Sequence, residues 1–251
     1  RRFPRARPLP LRSTPPALPQ PPHHHASHLF SPQSAPPPST ATTEPRPPAL
    51  ESGDYPEYAP PPSATGKPRV VVVGSGWGAC SFLKALPAST AAGLDLTVVS
   101  PRNYFLYTPL LPAVATGTVE DRSIVEPVRK VLEGKGAYFE AVVHEIDPQG
   151  KAIVCCFPAD AGLDQACFKV PYDILVLAVG CVNNTFGVEG VAEHAFFFKS
   201  IEDAARLRRH VSECFERAAL PQTPPEEKAK LLSFVVCGGG PTGVEVAAEL
   251  H

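Results

Sequence analysis

Two glycine-rich stretches carry the residue types that hold phosphate. The first is Gly74-Ser75-Gly76-Trp77-Gly78-Ala79, and the second is Gly238-Gly239-Gly240-Pro241-Thr242-Gly243. In the first, Gly74 permits a sharp turn. Gly76 lets the backbone approach a pyrophosphate with no side chain in the way. Ala79 stands where a third glycine is usual, and its methyl group is still small enough for close helix–strand packing. Gly238, Gly240 and Gly243 complete the same pattern. The phosphate would rest on the unpaired N–H groups and positive end of a helix starting at each turn. One such turn alone is as readily a tight strand-to-helix connection. Two in one chain argue for two nucleotides brought together, a flavin on the first and a nicotinamide on the second, with hydride transfer between them.

The elements around the turns have the order this chemistry needs. An apolar, β-branched strand at 69–73 precedes the first turn, and a helix at 77–86 follows, ended by Pro87. Residues 88–94 read as a small-residue loop, and 96–100 as a second strand parallel to the first. The second turn follows an apolar strand at 231–237 and opens a helix at 244–250. Between the two units, the aromatic and Pro-rich run 103–115 reads either as a packed loop with a short helix or as a segment leaning on a planar cofactor. A helix at 124–133 is stopped by Gly134 and Gly136. Strands at 138–146 and 151–157, joined by Asp147-Pro148-Gln149-Gly150, form a hairpin. The nearly all-apolar run 172–179 suits a strand buried on both faces of the parallel sheet. Gly180 then lets the chain leave close to a ligand. Residues 200–217 form an amphipathic helix capped by Ser200, with Asp203 three residues on, and 220–228 is a Pro-rich link.

The end of the second strand is where a carboxylate usually binds the adenosine ribose. Here it is Ser100, followed by Pro101 and Arg102, while Asp95 lies at the wrong end. A serine hydroxyl can bond a ribose without charge assistance. Alternatively, Arg102 could accept a 2′-phosphate.

Composition sets the outer bounds. The formal net charge of -2 gives no field that points to nucleic acid. Residues 1–66 hold more than half of the 32 prolines, and 1–43 contain arginines but no Asp or Glu. This leader reads as disordered, either an organelle transit peptide or a Pro-rich tail, with order starting near Lys67. The absence of methionine suggests that the sequence begins inside a longer protein. Seven cysteines without CxxC or metal-ligand spacing argue for reduced, mostly buried thiols, and a bond within Cys155-Cys156 is not expected. No apolar run approaches the roughly 20 residues of a spanning helix.

The strings Val73 to Ala79, Ser100-Pro101-Arg102-Asn103-Tyr104-Phe105, Thr108-Pro109-Leu110-Leu111-Pro112, Asn184-Thr185-Phe186-Gly187 and Gly238 to Glu245 resemble the type II NADH dehydrogenases. These are single-subunit, non-proton-pumping NADH:quinone oxidoreductases, and the match is to their fungal and plant mitochondrial branch. The resemblance covers residues 68–251 and implies an α/β fold with two Rossmann-like dinucleotide-binding domains of the FAD/NAD(P)-dependent oxidoreductase type. A leader at 1–66 would precede an FAD domain at 67–195 and the start of an NAD(P)H domain at 196–251. It implies that Gly74, Ser75, Gly76, Trp77, Gly78 and Ala79 cradle the FAD pyrophosphate, that Ser100, Pro101 and Arg102 flank its adenosine, and that Gly180 lies near the flavin. Gly238, Gly240, Pro241, Thr242 and Gly243 would bind the NADH pyrophosphate, with NADPH the alternative donor. Glu245, on the first turn of the second helix, would face the nicotinamide and flavin as the catalytic residue, or simply complement the helix N-terminus.

The same resemblance implies ubiquinone or plastoquinone as acceptor, peripheral membrane association through a C-terminal region beyond His251, no nucleic-acid partner, and compatibility with a homodimer. It places the protein at the mitochondrial inner membrane, with the chloroplast as alternative. Residues 1–251 alone are expected not to make a competent enzyme. Other two-nucleotide flavoproteins, a signalling protein like apoptosis-inducing factor, and a non-functional fragment are the competing readings. The absence of CxxC and CxxxxC argues against disulfide reductases.

Overall fold

The computed structural model of the chain describes residues 55–58, 66–157 and 167–251. Its centre is a strand of valines. In β1 (Arg69–Val73), Val70 and Val72 face one side and Val71 and Val73 the other, and all four are buried. Such a strand needs cover on both faces, as parallel sheets have. α1 (Trp77–Ala85) and a single helical turn, α2 (Ala88–Ala91), lead to β2 (Asp95–Ser100), which pairs in parallel with β1. β3 (Tyr104–Leu106), a 3-10 turn (Thr108–Leu110) and α3 (Leu111–Thr116) follow. A second 3-10 turn (Asp121–Ile124) leads into β4 (Val125–Pro127), antiparallel to β3, and α4 (Val128–Leu132). β5 (Gly136–Glu140) then pairs with β2 on its free side.

The chain next forms an antiparallel meander of β6 (Val142–Asp147), β7 (Ala152–Cys156) and β8 (Cys167–Pro171). It returns as β9 (Ile174–Leu177) beside β1, giving the parallel order β5-β2-β1-β9. α1 and α4 cover one face with Cys80, Leu83, Val128, Val131 and Leu132. The meander covers the other with Ile153, Cys155 and Val170. α5 (Val191–His194), α6 (Ile201–Ala219), α7 (Pro225–Leu231) and α8 (Pro241–Glu249) complete the described elements. Leu111, Val114 and Ala115 of α3 pack against Ala204, Ile201 and Leu207 of α6. α6 starts with a complete capping box: Asp203 N–H donates to Ser200 Oγ at 3.1 Å, and Ser200 N–H to Asp203 Oδ2 at 2.9 Å. None of the described helices is long and apolar enough to cross a membrane.

The helix foreseen at 124–133 shrinks to α4. Pro127 caps it in an extended conformation and disfavours helix at Glu126, which joins β4 instead. The strand foreseen at 138–146 is two strands. The chain leaves the parallel sheet at the buried Ala141 and enters the meander, with no break in polarity to mark the change. The run expected to be buried on both faces is an edge strand, with Ile174 52% and Leu177 60% exposed. No strand forms at 231–237. α7 takes Leu231, with Glu226 and Glu227 in its first turn and Lys228 and Lys230 in its last, the charge order a helix favours. Beyond it, no described strand pairs with 233–237, and Val235 is 86% exposed.

Tyr55–Tyr58, assigned to the leader, lies along β8: Tyr58 N–H donates to the Lys169 carbonyl at 2.7 Å, and Tyr58 packs on Phe139. The remaining leader assignment, apart from Gly66, lies outside the described residues. Cys156 and Cys167, directly paired between β7 and β8, form a disulfide rather than two free thiols.

Candidate functional site

The first glycine turn crosses the carboxyl ends of β1, β2 and β9. Gly74 has φ +116, and its N–H donates to the Val99 carbonyl at 2.8 Å. A Cβ there would collide with the Ala178 carbonyl, so the neighbouring strand itself demands glycine. Gly76 differs. It is the N-cap of α1, offers no side chain to cap the helix, and has nothing within 4 Å of where a Cβ would stand. The first-turn N–H groups of α1 are thus left to solvent or a ligand. Gly180, at φ +74 and two residues past Ala178, also opens onto empty space.

The second turn repeats this geometry. Gly238 has φ +122, and Gly240 caps α8 with φ -75 and ψ 173, close to the -83 and -166 of Gly76. Gly240 borders open space, while a Cβ at Gly243 would strike the Gly238 carbonyl. Pro241 and Thr242 are the first two residues of α8, the positions where proline's missing N–H costs nothing.

Behind the first turn lies a buried hydroxyl pair. Ser75 Oγ and Ser100 Oγ are 2.9 Å apart. Ser75 also bonds the Arg102 carbonyl at 2.8 Å, and the Arg102 N–H donates to Ser100 Oγ at 3.2 Å. Ser100 therefore fixes the turn rather than facing outward, and Pro101 stands exposed beside it. The Tyr138 hydroxyl donates to the Ser100 carbonyl at 3.0 Å, and burial pushes that phenol up to about 12, so it stays a donor. Arg102 stacks over Tyr104 at 5.3 Å, and its Nε is buried with no hydrogen-bond partner. Cys80 donates to the Ser75 carbonyl, and burial raises its pKa, which leaves no reactive thiolate under the turn.

Trp77, half-exposed, joins this turn to the next segment. Its indole N–H donates to Thr108 Oγ1 at 3.1 Å, and its ring meets Phe105 edge-on at 5.0 Å. α3 begins three residues after Thr108. At its far end Thr116 Oγ1 donates to Glu249 Oε2 of α8 at 3.2 Å. One short stretch, 108–116, therefore touches helices from both glycine turns. Glu245 is exposed and is the fifth residue of α8, so it lies on the second helical turn rather than the first. It shares the helix face of Glu249, four residues on. Thr108 and Tyr138 were not foreseen; for Thr108 the signal was present in the Thr-Pro-Leu-Leu-Pro string.

The fit to a dinucleotide can be judged from what each glycine meets. Gly74 and Gly243 are explained by the protein's own packing. Gly76 and Gly240 are not, and their missing side chains leave room for a ligand, at Gly76 beyond the carboxyl end of the sheet; Gly180, whose φ of +74 itself favours glycine, also borders open space. The orphaned Arg102 Nε adds an unpaired donor on the same side.

The model of the pyridine nucleotide-disulphide oxidoreductase family matches residues 68–251. The chain belongs to that family. Within it, the chain is similar to alternative, type II NADH dehydrogenases. It is 53% identical over 187 residues to the mitochondrial external alternative NAD(P)H-ubiquinone oxidoreductase B4 of Arabidopsis thaliana, covering 74% of this chain and 32% of the relative. It is 45% identical over 194 residues to the mitochondrial external alternative NADH-ubiquinone oxidoreductase of Yarrowia lipolytica, covering 76% and 33%. The structure of NDH2 from Plasmodium falciparum in complex with NADH superposes with a TM-score of 0.66 at 38% identity, covering 73% of this chain and 36% of that one. The chain spans about a third of the length of the curated relatives it matches. The family's name does not make Cys156–Cys167 a redox centre, because that bond lies in the meander, away from both glycine turns.

Proposed function

We propose that the complete protein is an FAD-dependent, non-proton-pumping NADH:quinone oxidoreductase. The observation that carries this reading is the repeated turn, Gly74/Gly76 before α1 and Gly238/Gly240 before α8, with matching backbone angles and open space at the second glycine of each. When bound, FAD supplies the redox chemistry, taking two electrons from a nicotinamide and yielding them to a quinone. The protein's own residues bind and orient. Gly74 sets the turn, Gly76 clears the approach, and the N–H groups at Trp77, Gly78 and Ala79 face the FAD pyrophosphate. Ser75 and Ser100 lock that turn. Pro101 and Arg102 flank the adenosine, with Arg102 Nε as an available donor. Gly180 gives clearance near the flavin. Gly238, Gly240, Pro241, Thr242 and Gly243 take the NADH pyrophosphate.

Glu245 is assigned to the nicotinamide side, on the helix face that α3 meets through Glu249. Residues 67–195 form the FAD unit in this reading, and 196–251 begin the NAD(P)H unit. Ubiquinone and mitochondria are favoured because the relatives at 45 to 53% identity carry both in their names; the inner membrane, peripheral docking and dimerisation follow from the family resemblance. The test is turnover of the full-length protein with NADH and a short-chain ubiquinone. Quinone-dependent oxidation of NADH by a flavin-loaded enzyme is expected. A protein that oxidises NADH at the same rate with and without quinone, or turns over without flavin, contradicts the reading.

A further inference from the structure

The missing ribose carboxylate has a candidate replacement one strand away. Ser100 occupies the usual acid position, but it is only 3% exposed and its hydroxyl is engaged by Ser75 and by the Arg102 N–H. That hydroxyl is turned to the protein's own turn rather than toward a ligand. Glu140 ends β5, the parallel neighbour of β2, and its Cα is directly paired with that of Ser100. Side chains alternate along a strand and match across parallel partners. Glu140 therefore shares a face with Tyr138 and Val98, which pack in the same layer as α1. That is the face on which α1 presents its N–H groups, at the strand ends where open α/β sheets take ligands.

The Glu140 carboxylate is exposed and already oriented. Asn103 Nδ2, just beyond Ser100-Pro101-Arg102, donates to Oε2 at 3.0 Å. Among the described residues no donor bonds Oε1, and a carboxylate has acceptor capacity left after one such bond. We propose that Glu140, held by Asn103, is the ribose-hydroxyl acceptor of the first nucleotide site, a specificity residue standing in for the acid absent at position 100. This rests on the reading that the first site holds FAD. The same charge repels a phosphate on that ribose, so the site favours FAD over a 2′-phosphorylated dinucleotide despite Arg102.

The experiment uses the full-length apoprotein, titrated with FAD, with FMN, which lacks the adenosine half, and with an FAD analogue whose adenosine ribose has no hydroxyls. Wild type is expected to bind FAD at least about tenfold tighter than the analogue, the worth of a charge-assisted hydrogen bond. Glu140→Ala is expected to lose that discrimination, leaving FMN affinity and the apoprotein's melting temperature unchanged. Asn103→Ala is expected to lose part of it. FAD binding by Glu140→Ala equal to wild type overturns the assignment. So does an equal loss of FAD and FMN affinity with lower melting, the mark of a merely structural contact. A wild-type apoprotein that takes up no FAD overturns the FAD reading itself and this assignment with it.

Discussion

Gly74 and Gly76 stand two residues apart in one turn and are glycine for different reasons. Gly74→Ala would place a Cβ against the Ala178 carbonyl at a φ that side chains rarely adopt. It is expected to cost more than the ~1–3 kcal/mol of simple backbone strain and to lower both the melting temperature and the flavin content. Gly76→Ala meets no protein atom. It is expected to leave the apoprotein's melting temperature unchanged while flavin content, read from the absorbance ratio of the purified protein, falls sharply. Equal melting losses in the two variants would contradict the distinction. Ser100→Ala strips the buried Ser75 hydroxyl and the part-buried Arg102 N–H of a partner and should cost roughly 1–3 kcal/mol in denaturant unfolding. Thiol reactivity follows burial: Cys181 and Cys237 are exposed, whereas burial pushes Cys155 up to about 12. Brief alkylation near neutral pH followed by peptide mapping should label the first two and spare Cys155. The glycine roles could be read from sequence because only glycine satisfies them. The Ser75–Ser100 pair could not, because its members meet only once β1 and β2 lie side by side.

The element that most needs an anchor is β9, an edge strand whose end residues Ile174 and Leu177 are exposed. Asp173, just before it, accepts from the Arg69 backbone N–H at 2.8 Å and from the Arg69 guanidinium at 3.0 and 3.2 Å. These bonds hold its carboxyl at about 2, below the ordinary 3.8. A depressed carboxylate contributes stability that is full above its unfolded pKa and is lost as pH falls through its folded one. The Arg69–Asp173 contribution is therefore expected above about pH 4 and to fade toward pH 2. Asp173→Asn should flatten that part of the acid-stability curve, and an unchanged curve would contradict the link. At α6, Ser200→Ala removes the capping-box acceptor and should cost about 1 kcal/mol in denaturant unfolding. β1, α1 and α6 were legible from sequence because each carries a local signal: an unbroken β-branched run for β1, the glycine turn before and Pro87 after α1, and the Ser200 cap with an amphipathic face for α6. The layer change at Ala141, the edge position of β9 and the pairing of β8 were not, since those depend on which neighbours each strand finds.

At the scale of the molecule, the two glycine turns belong to one arrangement through the 108–116 stretch. Trp77 bonds its start and Glu249 bonds its end. The repeated motif was legible as sequence. Its bridging was not: the Thr-Pro-Leu-Leu-Pro string marks Thr108, but nothing in the sequence shows that Thr108 meets Trp77 or that Thr116 meets Glu249 until the helices pack. The central claim is that the turns hold different nucleotides, FAD on the first and NADH on the second. The most direct measurement is anaerobic bleaching of the flavin absorbance by NADH in the full-length protein, comparing wild type with Gly240→Ala, whose added methyl meets no protein atom. Wild type is expected to be yellow and to bleach on adding NADH. Gly240→Ala is expected to be equally yellow, to bleach with dithionite, and to respond to NADH only slowly or at much higher concentration. A wild type without flavin, or a Gly240→Ala variant that bleaches with NADH as readily as wild type, would contradict the account.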